Sequence, residues 1–192
     1  MFDDARVKAL IESIEPFQRG LLVTACLVRI SGLLADERVT SEYPEASALV
    51  GQIRDFALGR SAGKEQEGAA LRFEQGLRDF LGPRDEPFEE LPDAGAWAMD
   101  IASLADCVLD VWSNPSESVA KCFEVLISGY SITGYLTDDS DDPDVPDLAD
   151  GEYQRQIADI EAMRSGDTWE RVLRPSVELA HTYAHWFQHV SM

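Results

Sequence analysis

Cationic residues are scarce in this chain. Lys and Arg number 16 against 36 Asp and Glu, which leaves a formal net charge of −20 over 192 residues. Phosphate contacts need clustered Lys and Arg, so nucleic acid is excluded as a partner. The same charge disfavours an anionic membrane surface. Cysteine is sparse and odd in number: Cys26, Cys107 and Cys122 each lie in an apolar run, without Cys-x-x-Cys or Cys/His spacing. Free thiols are expected in place of a disulfide framework. Charge-free runs are short, the longest being 125–137 and 20–28, below the roughly 20 residues that cross a bilayer. The start, Met1-Phe2-Asp3-Asp4, is acidic where a leader would carry cations. A cytoplasmic setting is therefore expected. Nucleophile elbows, dinucleotide fingerprints and P-loops are absent from the sequence, which removes the commonest signatures of catalysis.

What is present is an apolar helical pattern. The hydrophobic fraction is 45%, with 4 Trp, 8 Phe and 5 Tyr, enough for a sizeable core in one domain covering 1–192. Val7, Leu10, Ile11 and Ile14 have the spacing of an amphipathic helix, capped by Asp3 or Asp4 and stopped by Pro16. The next helix, 17–35, is apolar almost all round and belongs at the centre. Leu49, Ile53 and Phe56 mark a third helix, and Phe73, Leu77 and Phe80 a fourth that closes at Gly82-Pro83. Three prolines and four acids over 83–92 predict an extended linker.

Trp97, Ile101, Leu104, Val108 and Val111 line a fifth helix, with Asp100, Asp106 and Asp110 elsewhere on it. Ser116 is the expected cap of a sixth, which carries Val119, Phe123, Leu126 and Tyr130 and pairs with the fifth as an antiparallel hairpin. Seven aspartates and two prolines in 138–150 predict a solvated loop that buries nothing. A seventh helix carries Tyr153, Ile157 and Ile160. Asp167 and Glu170 resemble a capping box before a C-terminal helical extension, 167–192, which Pro175 must kink or restart. The fold class is all-α, a bundle or orthogonal array of about eight helices.

Three patterns invite chemistry. His181, His185 and His189 are the only histidines, and at helical pitch they span about 80° of one face. That spacing suits a metal, but each lies two residues past Leu179, Tyr183 or Phe187, about 200° from the apolar stripe. They are expected to face solvent, and no metal site is assigned. Calcium fits no better: in the register that starts at Asp142 and Asp144, Pro146 and Asp147 fall where an EF-hand needs an oxygen ligand and a glycine. Asp100, Asp106, Asp110 and Glu124 could supply paired carboxylates, but an exposed acidic face is the expected reading. No catalytic or cofactor-binding residue and no cofactor is assigned.

Four stretches carry a family likeness: Phe17-Gln18 with Ala25-Cys26-Leu27-Val28-Arg29; Leu91-Pro92-Asp93; Met99-Asp100-Ile101-Ala102-Ser103-Leu104; and Glu152-Tyr153-Gln154-Arg155-Gln156-Ile157-Ala158-Asp159. Over roughly 10–165 the chain resembles the YjaG-like bacterial family of unknown function; 167–192 has no counterpart in that pattern. The resemblance implies an all-helical, self-associating protein with no catalytic residues to carry over. Asp100 matches the family pattern. If buried, it would need a partner such as Arg29 or Arg155.

The function expected is non-catalytic binding of a basic protein partner, in an immunity-like or regulatory role, because −20 on a small domain makes a long-range field. The alternatives are a metal-dependent enzyme using the C-terminal histidines and a homodimeric scaffold.

Overall fold

Capping chemistry explains where the helices begin. In the computed structural model, which describes residues 2–64, 68–82, 93–138, 144–165 and 169–190, the Asp3 carboxylate accepts from the Arg6 N–H at 3.0 Å and opens α1 (Asp4–Glu12). Pro16 sits in the first turn of α2 (Pro16–Ser31), where its missing N–H costs nothing. The Glu15 N–H donates to Gln18 Oε1 at 2.8 Å, and the Gln18 amide donates to the Met163 carbonyl. A 3₁₀ turn, Gly32–Ala35, ends this rod.

Sequence periodicity overlooks α3 (Glu37–Glu42), which Asp36 caps by accepting from the Arg38 N–H. Its residues are polar apart from Val39, which alone is buried, so no stripe betrays the helix. Next come α4 (Pro44–Ser61), α5 (Ala69–Leu81), α6 (Asp93–Ser113), α7 (Val119–Asp138) and α8 (Leu148–Arg164). A π turn, Trp169–Leu173, leads into α9 (Arg174–Phe187). Pro175 falls in the first turn of α9, so it restarts the helix without breaking it. Every element among the described residues is helical.

Three local expectations change. Ser116 lies inside a 3₁₀ turn (Pro115–Glu117), and Ser118 precedes α7 instead, its carbonyl accepting from the Cys122 N–H. The acidic stretch is shorter than 138–150: α7 runs through Asp138, and Asp147 caps α8 by accepting from the Asp150 N–H at 2.8 Å. Leu148 is buried and Val145 rests on the core, so this segment does contribute apolar surface. The linker 83–92, the middle of the acidic loop at 139–143 and Asp167 of the capping box lie outside the described residues.

All residues from Arg19 to Ser31 of α2 are buried, and α4, α6, α7, α8 and α9 surround it. Segment 16–35 is long and apolar enough to span a bilayer, a match that the charge-free runs did not reveal, but 83% of that window is buried inside the fold. A core helix meets the same criterion. Glycines allow the close crossings: a Cβ on Gly20 would lie 2.8 Å from the Trp112 ring, and one on Gly129 would lie 2.6 Å from Cys26 Sγ. Trp112 Nε1 donates to Thr24 Oγ1 at 3.1 Å, so the ring that fills the Gly20 notch also satisfies its one donor.

Candidate functional site

Arg29 lies in the last turn of α2 and is fully buried. Its Nε and Nη2 donate to the two oxygens of Glu152 at 2.8 and 2.7 Å. Its Nη1 donates to Asp159 Oδ2 at 2.9 Å and to Ser176 Oγ at 2.8 Å. Both acids come from one face of α8, seven residues apart, which is two helical turns. The Tyr183 hydroxyl of α9 donates to Glu152 Oε2 at 2.8 Å, and the Gln156 amide donates to Glu152 Oε1 and to the Leu126 carbonyl. Arg155 closes the network from the half-buried side, donating to Asp159 and to the Arg171 carbonyl. Two arginines therefore face two carboxylates, and the cluster is neutral with all four charged.

Burial opposes the charge on Arg29, but Glu152 and then Asp159 outweigh it and raise its pKa well above the ordinary value. Desolvation raises the Asp159 carboxyl even against Arg29 and Arg155, and it drives the Tyr183 phenol and the Cys26 thiol upward too. The shifts of Arg29, Tyr183 and Cys26 move those three groups further from neutrality. Gln156 Oε1 is the one buried side-chain oxygen or nitrogen without a partner among the described residues. The network is a lock joining α2, α8 and α9.

Sequence reasoning missed this assembly. It offered Arg29 or Arg155 to Asp100 on the condition that Asp100 be buried, but Asp100 lies exposed on the outside of the hairpin, and Arg29 belongs to Glu152 and Asp159. A signal existed: an arginine that follows the apolar run 20–28 in a central helix must find a buried counter-charge.

The α6–α7 hairpin is antiparallel, as expected, with Cys107 Sγ 3.6 Å from Glu124, Lys121 3.7 Å from Asp110, and the Trp97 and Tyr135 rings at 6.3 Å. Its outer face brings together Asp100, Asp106, Asp110 and Glu124, with Lys121 the only cation on α7. Lys121 is spoken for: its ammonium lies 2.8 Å from Glu124. At the other end of the face, Asp100, Ser103, Ser128, Ser131 and Tyr135 line a groove of about 290 Å³ floored by Ile127 and Ile132. Asp100 has no hydrogen bond or ion pair among the described residues, and burial of part of its surface raises its carboxyl pKa.

Other residues singled out from the sequence are placed differently. His181, His185 and His189 are exposed, with the His185 and His189 rings edge-to-face 5.4 Å apart beside Trp186. Among the described residues no three His, Cys, Asp or Glu side chains gather to hold a metal ion. The Cys122 thiol is pushed up to about 12 by burial, and so is Cys107, whose desolvation and acidic neighbours outweigh Lys121. Neither is an activated nucleophile. No family model, curated protein or solved structure matches the chain.

Proposed function

We propose that the protein works by binding a basic protein partner, with the outer face of the α6–α7 hairpin as the contact surface. One observation carries this reading. Four carboxylates and a single lysine share that face, while the buried charges of the Arg29 cluster are consumed by one another. Four carboxylates against one ammonium leave the face with a net negative charge, whose field speeds encounter with a cationic surface. The chain's −20 strengthens the same field at long range.

Affinity capture on the immobilised protein tests the reading. The wild-type chain is expected to retain a basic protein that the Asp100→Lys/Asp106→Lys/Asp110→Lys variant loses. A partner retained equally by both would remove the hairpin from the interface. Substrate turnover abolished by His181→Ala and His185→Ala would replace binding with catalysis.

A further inference from the structure

The acids on the hairpin face are not equivalent. Asp110 has Lys121, and Glu124 has Lys121 and the Cys107 thiol; Asp106 too is engaged. Asp100 is the exception. Its carboxylate stands at the rim of a concave groove without a cation. Asp100 is exposed, and the groove covers part of its carboxylate, which raises its pKa. Ser103, Ser128 and Ser131 add three hydroxyls to the same walls. Tyr135, which lines the groove, is half exposed and makes a T-shaped contact with the buried Trp97 ring at 6.3 Å.

The groove's chemistry identifies its occupant. At about 290 Å³ it falls just below the roughly 300–1,000 Å³ of small-molecule sites and suits one long side chain. A carboxylate accepts two parallel N–H bonds from a planar guanidinium but only a point contact from an ammonium. Hydroxyl oxygens can accept the remaining guanidinium donors, and a tyrosine face attracts a cation that stacks on it. Ile127 and Ile132 offer apolar floor to the methylene stem.

We infer that the Asp100 groove between α6 and α7 is the socket for one arginine side chain of a basic protein partner. The inference rests on the binding reading above and names its anchor point. Asp100 then serves recognition, and its unmatched charge in the free protein is the cost of keeping the socket open. A charge left exposed in the complex contributes through the field alone, whereas Asp100, once covered by the arginine in a bidentate pair, contributes to the lifetime of the complex. The inference thus separates Asp100 from its neighbours.

The test uses the full chain with two fluorescent peptides of equal charge, hexa-arginine and hexa-lysine, read by anisotropy. The wild-type protein is expected to prefer hexa-arginine, and Asp100→Asn to weaken hexa-arginine by about tenfold, as for loss of a hydrogen bond to a charged group. The paired control Asp106→Asn/Asp110→Asn is expected to weaken both peptides by the same small factor. Amide resonances of Ser128, Ser131 and Tyr135 should shift with hexa-arginine in the wild type and stay in place in Asp100→Asn. Equal binding of the two peptides, or equal loss in Asp100→Asn and the control, would overturn the socket and leave the basic-partner reading standing. Failure of the wild type to bind either peptide at low salt would overturn both. Asp100→Asn must also keep the wild-type melting temperature or exceed it; a variant that unfolds would show that the carboxylate serves folding, and the socket would be rejected.

Discussion

Arg29 illustrates how a single side chain can organise a fold without any stability surplus of its own. Removing a guanidinium and two carboxylates from water costs several kcal/mol per ion, and only complete pairing offsets that loss. Each nitrogen of Arg29 has a partner: Nε and Nη2 on Glu152, Nη1 on Asp159 and Ser176. Arg29→Met is therefore expected to destabilise the protein by about 3–5 kcal/mol in urea denaturation, because it leaves the buried Glu152 without a cation and Asp159 with Arg155 alone. Neutralising all three charges as Arg29→Met/Glu152→Gln/Asp159→Asn should recover part of that loss. A triple variant less stable than the single one would mean that the ions are net stabilising. Asp100 behaves oppositely. Its folded pKa is raised, so its contribution to stability is present below the unfolded pKa and is lost as pH rises through the folded value. Melting scans from about pH 3 to about pH 7 should show a falling component in the wild type that Asp100→Asn removes. Parallel curves would mean that Asp100 is ionised alike in both states.

At the scale of the element, close approach depends on the smallest side chains. Gly129 brings α7 against α2 beside the Arg29 cluster, since its missing Cβ would meet Cys26 Sγ at 2.6 Å, Gln156 Nε2 at 3.6 Å and Glu152 Oε1 at 3.7 Å. Alanine is the better helix former by roughly 0.5–1 kcal/mol. Overpacking outweighs that gain, and Gly129→Ala is expected to cost about 1–3 kcal/mol. Adding Cys26→Ala removes the obstructing sulfur and should restore stability towards that of Cys26→Ala alone. Additive losses in the double variant would show that the two helices are not in contact there. Core positions on α2 and α6 follow the same logic: Leu27→Ala and Leu104→Ala, both essentially unexposed, should each lower stability by about 2–5 kcal/mol in denaturant titration. A near-zero effect would place them outside the core. The last helix is fastened at both ends. Ser176 meets Arg29 at its start, and the Arg38 guanidinium donates to the Phe187 and Val190 carbonyls at 2.6 Å at its finish. Arg38 also lies over the Phe187 ring, so one cation meets both the helix dipole and an aromatic face.

Over the whole molecule, 36 acids against 16 basic residues set the long-range behaviour. Association with a basic partner should slow steeply as salt shortens the screening length from roughly 30 Å at about 0.01 M to about 8 Å at about 0.15 M. Dissociation should change much less if close contacts such as the Asp100 socket hold the complex. Stopped-flow measurements over that range check both rates. An association rate indifferent to salt would mean that the acidity maintains solubility and steers nothing.

The sequence by itself determined the helical class, the central place of α2, the pairing of α6 with α7 and the acidic field. Each of these is a local or additive property: apolar spacing along Val7, Leu10 and Ile11, breaks at Pro16 and Asn114-Pro115, a sum of charges. The exposure of His181, His185 and His189 was legible for the same reason, because their angle to Leu179 and Tyr183 is set within one helix. Only the tertiary structure decided where Arg29 finds its charge partners, 123 and 130 residues away, and that Asp100 has none among the described residues. Period and propensity say which face of a helix is buried, not which other face it meets. That choice follows from the packing of distant helices: Gly129 lets α7 approach α2, and the hairpin's register sets Asp100 beside Ser128, Ser131 and Tyr135.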